Sequence, residues 1–279
     1  MAKRKKRKSN KKTGWSLGRF ILFLAITIVT IRFGGFEYLA GLPDEQPAQA
    51  GDAPERLEIP HFKPRSGGQR VDHLGYSLLY NADYKTPYWV AWHVDKKRLK
   101  GNTRRADNFL PDPAIDGPQA ITSDYSRSGY DRGHMCPAGD MKWSRQAMQE
   151  SFYLSNICPQ NPNLNRGDWK RLEEKTRELA SSHEEIFVCC GPIYNNKRPK
   201  RIGAHRVGVP DAFFKVLLIY NGKNSRASGF IYPNHAGHKK MSAYAVTIDE
   251  VESITGIDFF PALPDEIENK VESEIGLRL

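Results

Sequence analysis

Apolar and polar positions fall into short blocks with two distinct periods. Residues 76–80 (YSLLY) and 88–94 (YWVAWHV) are dense in aromatic and β-branched side chains, the composition of strands. The turn-rich residues 81–87 join them as a hairpin or short connection. Residues 186–190 (IFVCC) form a further buried strand. Residues 213–220 (FFKVLLIY) form another, and Asn221-Gly222 after them is a strong hairpin-turn signal, with residues 227–232 as the returning partner. Between these blocks the period changes. Trp169, Leu172, Thr176 and Leu179 recur at spacings of three and four with charges between them, which predicts a helix over 168–181. A shorter helix is expected over 146–154, a strand passing into a helix over 244–254, and a last helix over 265–275. Strands and helices interleave without a regular βαβ repeat. The expected class is therefore α+β: a mixed, mainly antiparallel sheet with flanking helices.

The N-terminus follows a different rule. Residues 1–12 carry eight Lys and Arg, and an apolar run of twelve residues follows at 20–31 (FILFLAITIVTI). Twelve residues fall short of the roughly 20 a spanning helix needs. Extension back to Trp15 gives 17, with Arg19 able to snorkel. The pattern predicts a basic cytoplasmic tail (1–14), a signal anchor or signal peptide with membrane contact (15–40), a Gly/Pro/Ala/Gln-rich linker (41–70) and a folded domain (71–279). By the positive-inside rule the chain is expected to be exported, anchored and facing the extracytoplasmic side. Secretion or periplasmic release after cleavage is the alternative, and a mitochondrial location a distant third.

The tail also accounts for the charge. Ten basic residues precede the first acid, Glu37, and the net charge of the whole chain is +10. From residue 33 onward acids and bases balance, so the net charge alone does not argue for a polyanionic partner. Local segregation does remain. Lys96, Lys97, Arg98, Lys100, Arg104 and Arg105 form one basic cluster, and Lys197, Arg198, Lys200, Arg201 and Arg206 a second. Residues 249–274 are strongly acidic. Cys136, Cys158, Cys189 and Cys190 are the cysteines. If the loops around His134 and Asn156 meet, a Cys136–Cys158 bridge is admitted. Cys189 and Cys190 suit apolar packing. Zinc is disfavoured, because there is no CxxC and no His at ligand spacing from the cysteines.

The chemistry concentrates in Asp131-Arg132-Gly133-His134 and in a second polar run, Asn156, Pro159-Gln160, Asn165, Trp169 and Glu173. An imidazole titrates near neutral pH and suits a general base. Guanidinium groups on Arg132, Arg104 and Arg105 suit phosphate oxygens. Gly133 allows a bend or a close approach. Asp131 is placed to fix local backbone or to orient a partner. Asn165, Trp169 and Glu173 fall at i, i+4 and i+8 of a helical stripe, about 12 Å long. Asn165 and Glu173 cannot both bind one ion directly over that length, but Glu173 can act through water, as Mg²⁺ coordination commonly requires. Taken singly, each residue has a blander reading: a structural histidine, a helix N-cap, a packing tryptophan, a solvent-facing glutamate.

In this order the residues resemble the DNA/RNA non-specific endonuclease family of the ββα-metal (His-Me finger) class, which includes the endonuclease G group. The DRGH motif is Asp131 to His134. The second motif stands as Asn156-x-x-Pro159-Gln160 and Asn165-x-x-x-Trp169-x-x-Leu172-Glu173. The resemblance covers roughly residues 71–265. It implies His134 as general base, Asn165 as direct metal ligand, Glu173 as a ligand through water, Asn156 in support, and an upstream arginine at the transition state. Arg105 fits that arginine better than Arg104, with Arg132 and Arg104 as substrate contacts. The implied activity is Mg²⁺-dependent hydrolysis of DNA and RNA with little sequence preference. Mn²⁺ or another divalent ion is admitted, as is a homodimer, and no small-molecule cofactor is expected. The rivals are a non-catalytic nucleic-acid-binding envelope protein and a phosphodiesterase for small nucleotides.

Overall fold

The computed structural model describes residues 56–279 apart from 184, 197, 236, 238 and 278. In chain order the strands and α-helices among these are β1 (Gln69–Asp72), β2 (Ser77–Asn81), β3 (Thr86–Asp95), β4 (Asp131–His134), α1 (Arg145–Glu150), β5 (Ile157–Gln160), α2 (Lys170–His183), β6 (Glu185–Ile193), β7 (Arg201–Ile202), β8 (Val207–Gly208), β9 (Ala212–Ile219), β10 (Arg226–Pro233), β11 (Ala245–Val246), α3 (Ile248–Thr255) and α4 (Asp265–Ser273). The basic tail and the expected membrane segment at 15–40 lie outside the described residues. Within them no helix is long and apolar enough to cross a membrane.

Seven strands form one sheet in the order β1-β2-β3-β6-β9-β10-β11, and every neighbouring pair is antiparallel. The α+β expectation holds, and so do both hairpins. The aromatic runs are β2 and β3, and Asn221-Gly222 lies in the turn from β9 to β10. Burial explains why the central strands read as continuous apolar runs rather than alternating ones. All eight residues of β9 are buried, because both faces of the sheet are covered. Leu78, Val90, Trp92, Val188, Cys190, Phe213 and Leu217 face one core, which α2 closes with Trp169 just before it and Leu172 and Ala180 within it. Trp89, Ala91, Phe187, Cys189, Phe214, Val216 and Leu218 face a second core, which α3 and α4 close with Ile248, Val251 and Val271. The adjacent Cys189 and Cys190 thus serve opposite faces, as the twofold period of a strand requires.

Three expectations need correction. First, packing begins before Val71: Leu57 is fully buried in the second core, and His61 forms a β-bridge with Asp258. Second, Cys136 and Cys158 are free buried thiols and not a disulfide. Both contribute to the first core, and burial pushes their thiol pKa values well up, so they pack as small apolar groups. Third, the short helix over 146–154 ends at Glu150; residues 154–156 form a separate 3₁₀ turn.

Candidate functional site

The DRGH residues are β4, and they pair antiparallel with β5. Asp131 lies opposite Gln160, Gly133 opposite Cys158, and His134 opposite Ile157. A π-helical turn (Leu164–Trp169) then leads straight into α2. Two short strands and a helix therefore bring the two sequence motifs together, although 31 residues separate His134 from Asn165. The pieces are tied by named bonds. Trp169 Nε1 donates to the His134 carbonyl at 3.2 Å. Asn165 Nδ2 donates to Asp131 Oδ2 at 2.9 Å. Arg166 grips both oxygens of Asp131 at 2.8 and 2.7 Å, and this charge pair holds the Asp131 carboxyl below its usual range despite its partial burial.

Asn156 is fully buried and does not reach outward. Its Oδ1 accepts from the Cys136 N–H at 2.9 Å. Its Nδ2 donates to the carbonyls of Cys136 and Ser151, both at 2.9 Å. Its own carbonyl accepts from Met135 N at 3.0 Å. The side chain thus acts as a clamp on the chain that leaves β4, two residues beyond His134. Gly133 has a different reason from the one expected. A Cβ there would lie 2.6 Å from the Gln160 Cβ across the strand pair, so glycine is required by the cross-strand neighbour and not for bending.

His134 is 9% exposed. Its ring lies 5.4 Å from Phe109 and 4.8 Å, edge-on, from Phe152. Each phenyl ring also carries a guanidinium: Arg132 over Phe109 at 4.5 Å and Arg105 over Phe152 at 5.0 Å. The imidazole Nε2 is buried with no hydrogen-bond partner. Burial, reinforced by Arg105 and Arg132, pushes the imidazole pKa down to about 3. The ring is therefore neutral at physiological pH, the form that can accept a proton. Arg104, next in sequence, is exposed and makes no ion pair or ring contact among the described residues. Backbone bonds between Leu110 and residues 152 and 154 fix the loop that delivers Arg105 and Phe109.

Glu173 is half-buried in the first turn of α2. Burial pushes its carboxyl up to about 7. Lys215, Arg177 and Arg105 oppose that rise and Asp140 adds to it. Three of these neighbours were not singled out in the sequence. Asp140 is buried and accepts from Trp92 Nε1 at 3.0 Å and from Arg177 at 2.8 Å. Lys215 is 1% exposed, with Nζ 4.2 Å from the centre of the Trp169 ring and 5.5 Å from that of Trp92. A lysine within an otherwise apolar strand was the available signal for Lys215. Asp140 lies in the same run as DRGH and carried a readable acid, but no spacing linked it to a partner.

The donors offered here are hard oxygens. Asn165 spends its Nδ2 on Asp131, which leaves the amide Oδ1 uncommitted, and Glu173 makes no hydrogen bond among the described residues. An amide oxygen and a carboxylate suit a hard divalent cation, whose charge would favour the ionised form of Glu173.

Comparison with known proteins agrees with this geometry. Residues 54–266 match the DNA/RNA non-specific endonuclease family. The chain belongs to that family. It is 36% identical over 238 residues to the mitochondrial nuclease EXOG of Danio rerio, covering 79% of this chain and 69% of the relative. It is 30% identical over 236 residues to the mitochondrial endonuclease G of Bos taurus, covering 80% and 78%. A solved structure of the EndoG/EndoGI complex superposes with a TM-score of 0.65 at 30% identity, covering 70% of this chain and 86% of that one. The protein is thus a nuclease of a family that generally uses a divalent metal, and nucleic acid is its substrate class. The relatives also correct one expectation. Both are mitochondrial nucleases by name, which overturns the reading of this chain as an exported, membrane-anchored protein.

Proposed function

We propose that the protein is a Mg²⁺-dependent endonuclease that hydrolyses phosphodiester bonds of DNA and RNA with little sequence preference. The observation that carries this reading is the neutral imidazole of His134, packed against Phe109 and Phe152, two phenyl rings that touch each other and each bear an arginine. In this ββα-metal finger His134 takes the proton of the attacking water, a task the unprotonated ring performs at neutral pH. Arg105 supplies fixed positive charge where the phosphate gains negative charge, and Arg132 and Arg104 hold neighbouring phosphates. Asn156 keeps the backbone beside His134 in place.

Asn165 and Glu173 would hold the cation, Asn165 through Oδ1 and Glu173 through water. Bound there, the cation would act as a Lewis acid toward the leaving oxygen. Low sequence preference follows from a site made of phosphate-directed groups, since phosphate contacts carry no base information.

The test is digestion of plasmid DNA and of RNA with Mg²⁺ or with EDTA, comparing wild type with His134→Ala and Asn165→Ala. Wild type should cut both substrates only with the metal, and either substitution should lower the rate by at least about a hundredfold. Undiminished nicking by His134→Ala would overturn the mechanism.

A further inference from the structure

The C-terminal helices carry a second concentration of oxygen donors, far from the groups assigned above. They cover the opposite face of the sheet from Trp169 and Lys215. Carboxylate oxygens of Asp249, Glu252 and Glu272 lie within 4.8 Å of one another, and so do those of Asp258, Glu268 and Glu272. Glu272 is common to both sets. It is 9% exposed, and its Oε1 is buried with no hydrogen-bond partner. Four acids therefore gather around Glu272, whose carboxylate holds a buried, unpartnered oxygen.

Local structure enforces the convergence. Asp249 and Glu252 sit three residues apart on one face of α3, and Glu268 and Glu272 four apart on α4. Gly256 ends α3 with φ +69°, a left-handed cap that turns the chain back so that Asp258 joins the group. Glu252 is further fixed by the Phe259 N–H, which donates to its Oε1 at 2.7 Å. Among the described residues no Lys or Arg forms an ion pair with Asp249, Glu252, Asp258, Glu268 or Glu272. Among the described residues the one base paired with the group is the exposed His61, with Nδ1 3.7 Å from Asp258. Glu272 responds as an acid crowded by like charge would: burial and then Glu252, Glu268, Asp249 and Asp258 push its carboxyl up to about 8.

We propose that Glu272 is the central ligand of a Ca²⁺ site completed by Asp249, Glu252, Asp258 and Glu268. The donors are all oxygen and all carboxylate, which excludes the soft-ligand metals. Carboxylates from two helices and a turn suit the variable six-to-eight-oxygen shell of Ca²⁺ better than the strict octahedron of Mg²⁺. The ion would staple α3 to α4. Through Asp258, whose backbone exchanges two hydrogen bonds with His61 at 2.8 and 3.0 Å, it would also secure the N-terminal arm of the domain. The role is structural and independent of the reaction assigned to His134.

The experiment uses the whole chain, stripped with a chelator and then held in saturating Mg²⁺ to fill the nuclease site. Ca²⁺ binding is followed by calorimetry and by thermal unfolding. Wild type should bind Ca²⁺ and unfold at a higher temperature with it. Glu272→Gln should weaken binding at least about tenfold. The double change Asp249→Asn, Glu268→Gln alters residues nearer the surface and so keeps the test valid if Glu272→Gln folds poorly; it should weaken binding likewise. Asn165→Ala should retain the full response. Absence of a Ca²⁺ response in wild type would overturn the site. So would an equal response in the cluster variants, or loss of the response only in Asn165→Ala.

Discussion

Asn165 Nδ2 donates to Asp131 Oδ2 at 2.9 Å, so the first residue of one motif holds the first helical-turn residue of the other. The expected metal ligand is itself oriented by a neighbouring acid. Arg166 grips the same carboxylate, which keeps it ionised and in place. Asp131→Asn should therefore leave the fold intact and weaken the divalent-ion requirement curve by about 10-fold or more, since outer partners of metal ligands typically carry such effects. Titration of cleavage rate against Mg²⁺ checks this. Recovery of most of the rate at high Mg²⁺ is expected, and an unchanged midpoint would refute the positioning role.

Arg105 and its neighbour can be separated by the same assay. Arg105 sits over Phe152 and acts electrostatically on both His134 and Glu173, whereas Arg104 does neither. Arg105→Ala should lower kcat by on the order of 10²-fold with little change in KM. Arg104→Ala should act mainly on KM, and more at low salt. The reverse pattern would reassign the two arginines.

Asn156 is expected to matter first for stability. Its removal would leave the Cys136 N–H and the Cys136 and Ser151 carbonyls without partners in a fully buried place. Asn156→Ala should cost about 3 kcal/mol, read from urea unfolding. A loss of activity without a loss of stability would mean that Asn156 touches the reaction after all.

Gly133→Ala should also destabilise the β4–β5 pair, because the new methyl would meet the buried Gln160 side chain. Pairing this change with Gln160→Gly removes the obstruction, because the Gln160 Cβ itself would lie 2.6 Å from the new methyl. The double variant should recover much of the thermal stability that the single variant loses; additive losses would show that the glycine serves the backbone instead.

The His134 ring sets a pH dependence whose sign is definite. Its ordinary value is 6.5 and the folded value about 3. Between these the unfolded chain binds a proton that the native chain does not, so stability falls as pH falls through that window. Above 6.5 the effect vanishes. Denaturant midpoints measured from pH 7 down to pH 4 should drop less steeply in His134→Gln than in wild type. Equal slopes would mean that burial does not hold the imidazole neutral.

Much of this was readable from the chain. β2, β3, β6, β9 and β10 were legible because aromatic and β-branched runs bounded by turn residues leave little choice of conformation. His134, Asn165 and Glu173 stood out as candidates because their spacing is unusual and their side chains are chemically specific. Lys215 and Asp140 did not, because their importance comes from non-local packing: Lys215 gains its role from Trp92 on β3 and Trp169 ahead of α2, both more than 40 residues earlier in the chain. The reason for Gly133 was missed on the same grounds, since Gln160 becomes its neighbour only through strand pairing. Cys136 and Cys158 invited a bridge by their nearness to one site, yet the shared core that absorbs them is invisible to spacing.

The π-helical turn at Leu164–Trp169 makes the second motif a matter of length as well as letters. Removing one residue from it, even the exposed Arg166, would leave Asn165, Trp169 and Glu173 all present. Yet Asn165 would swing by roughly a quarter of a turn relative to the other two and lose the reach to Asp131. Point substitutions at the solvent-facing positions of this segment should be tolerated where single-residue deletions are not. The segment therefore behaves as a ruler, and its tolerance to insertion and deletion is a separate trait from its tolerance to substitution.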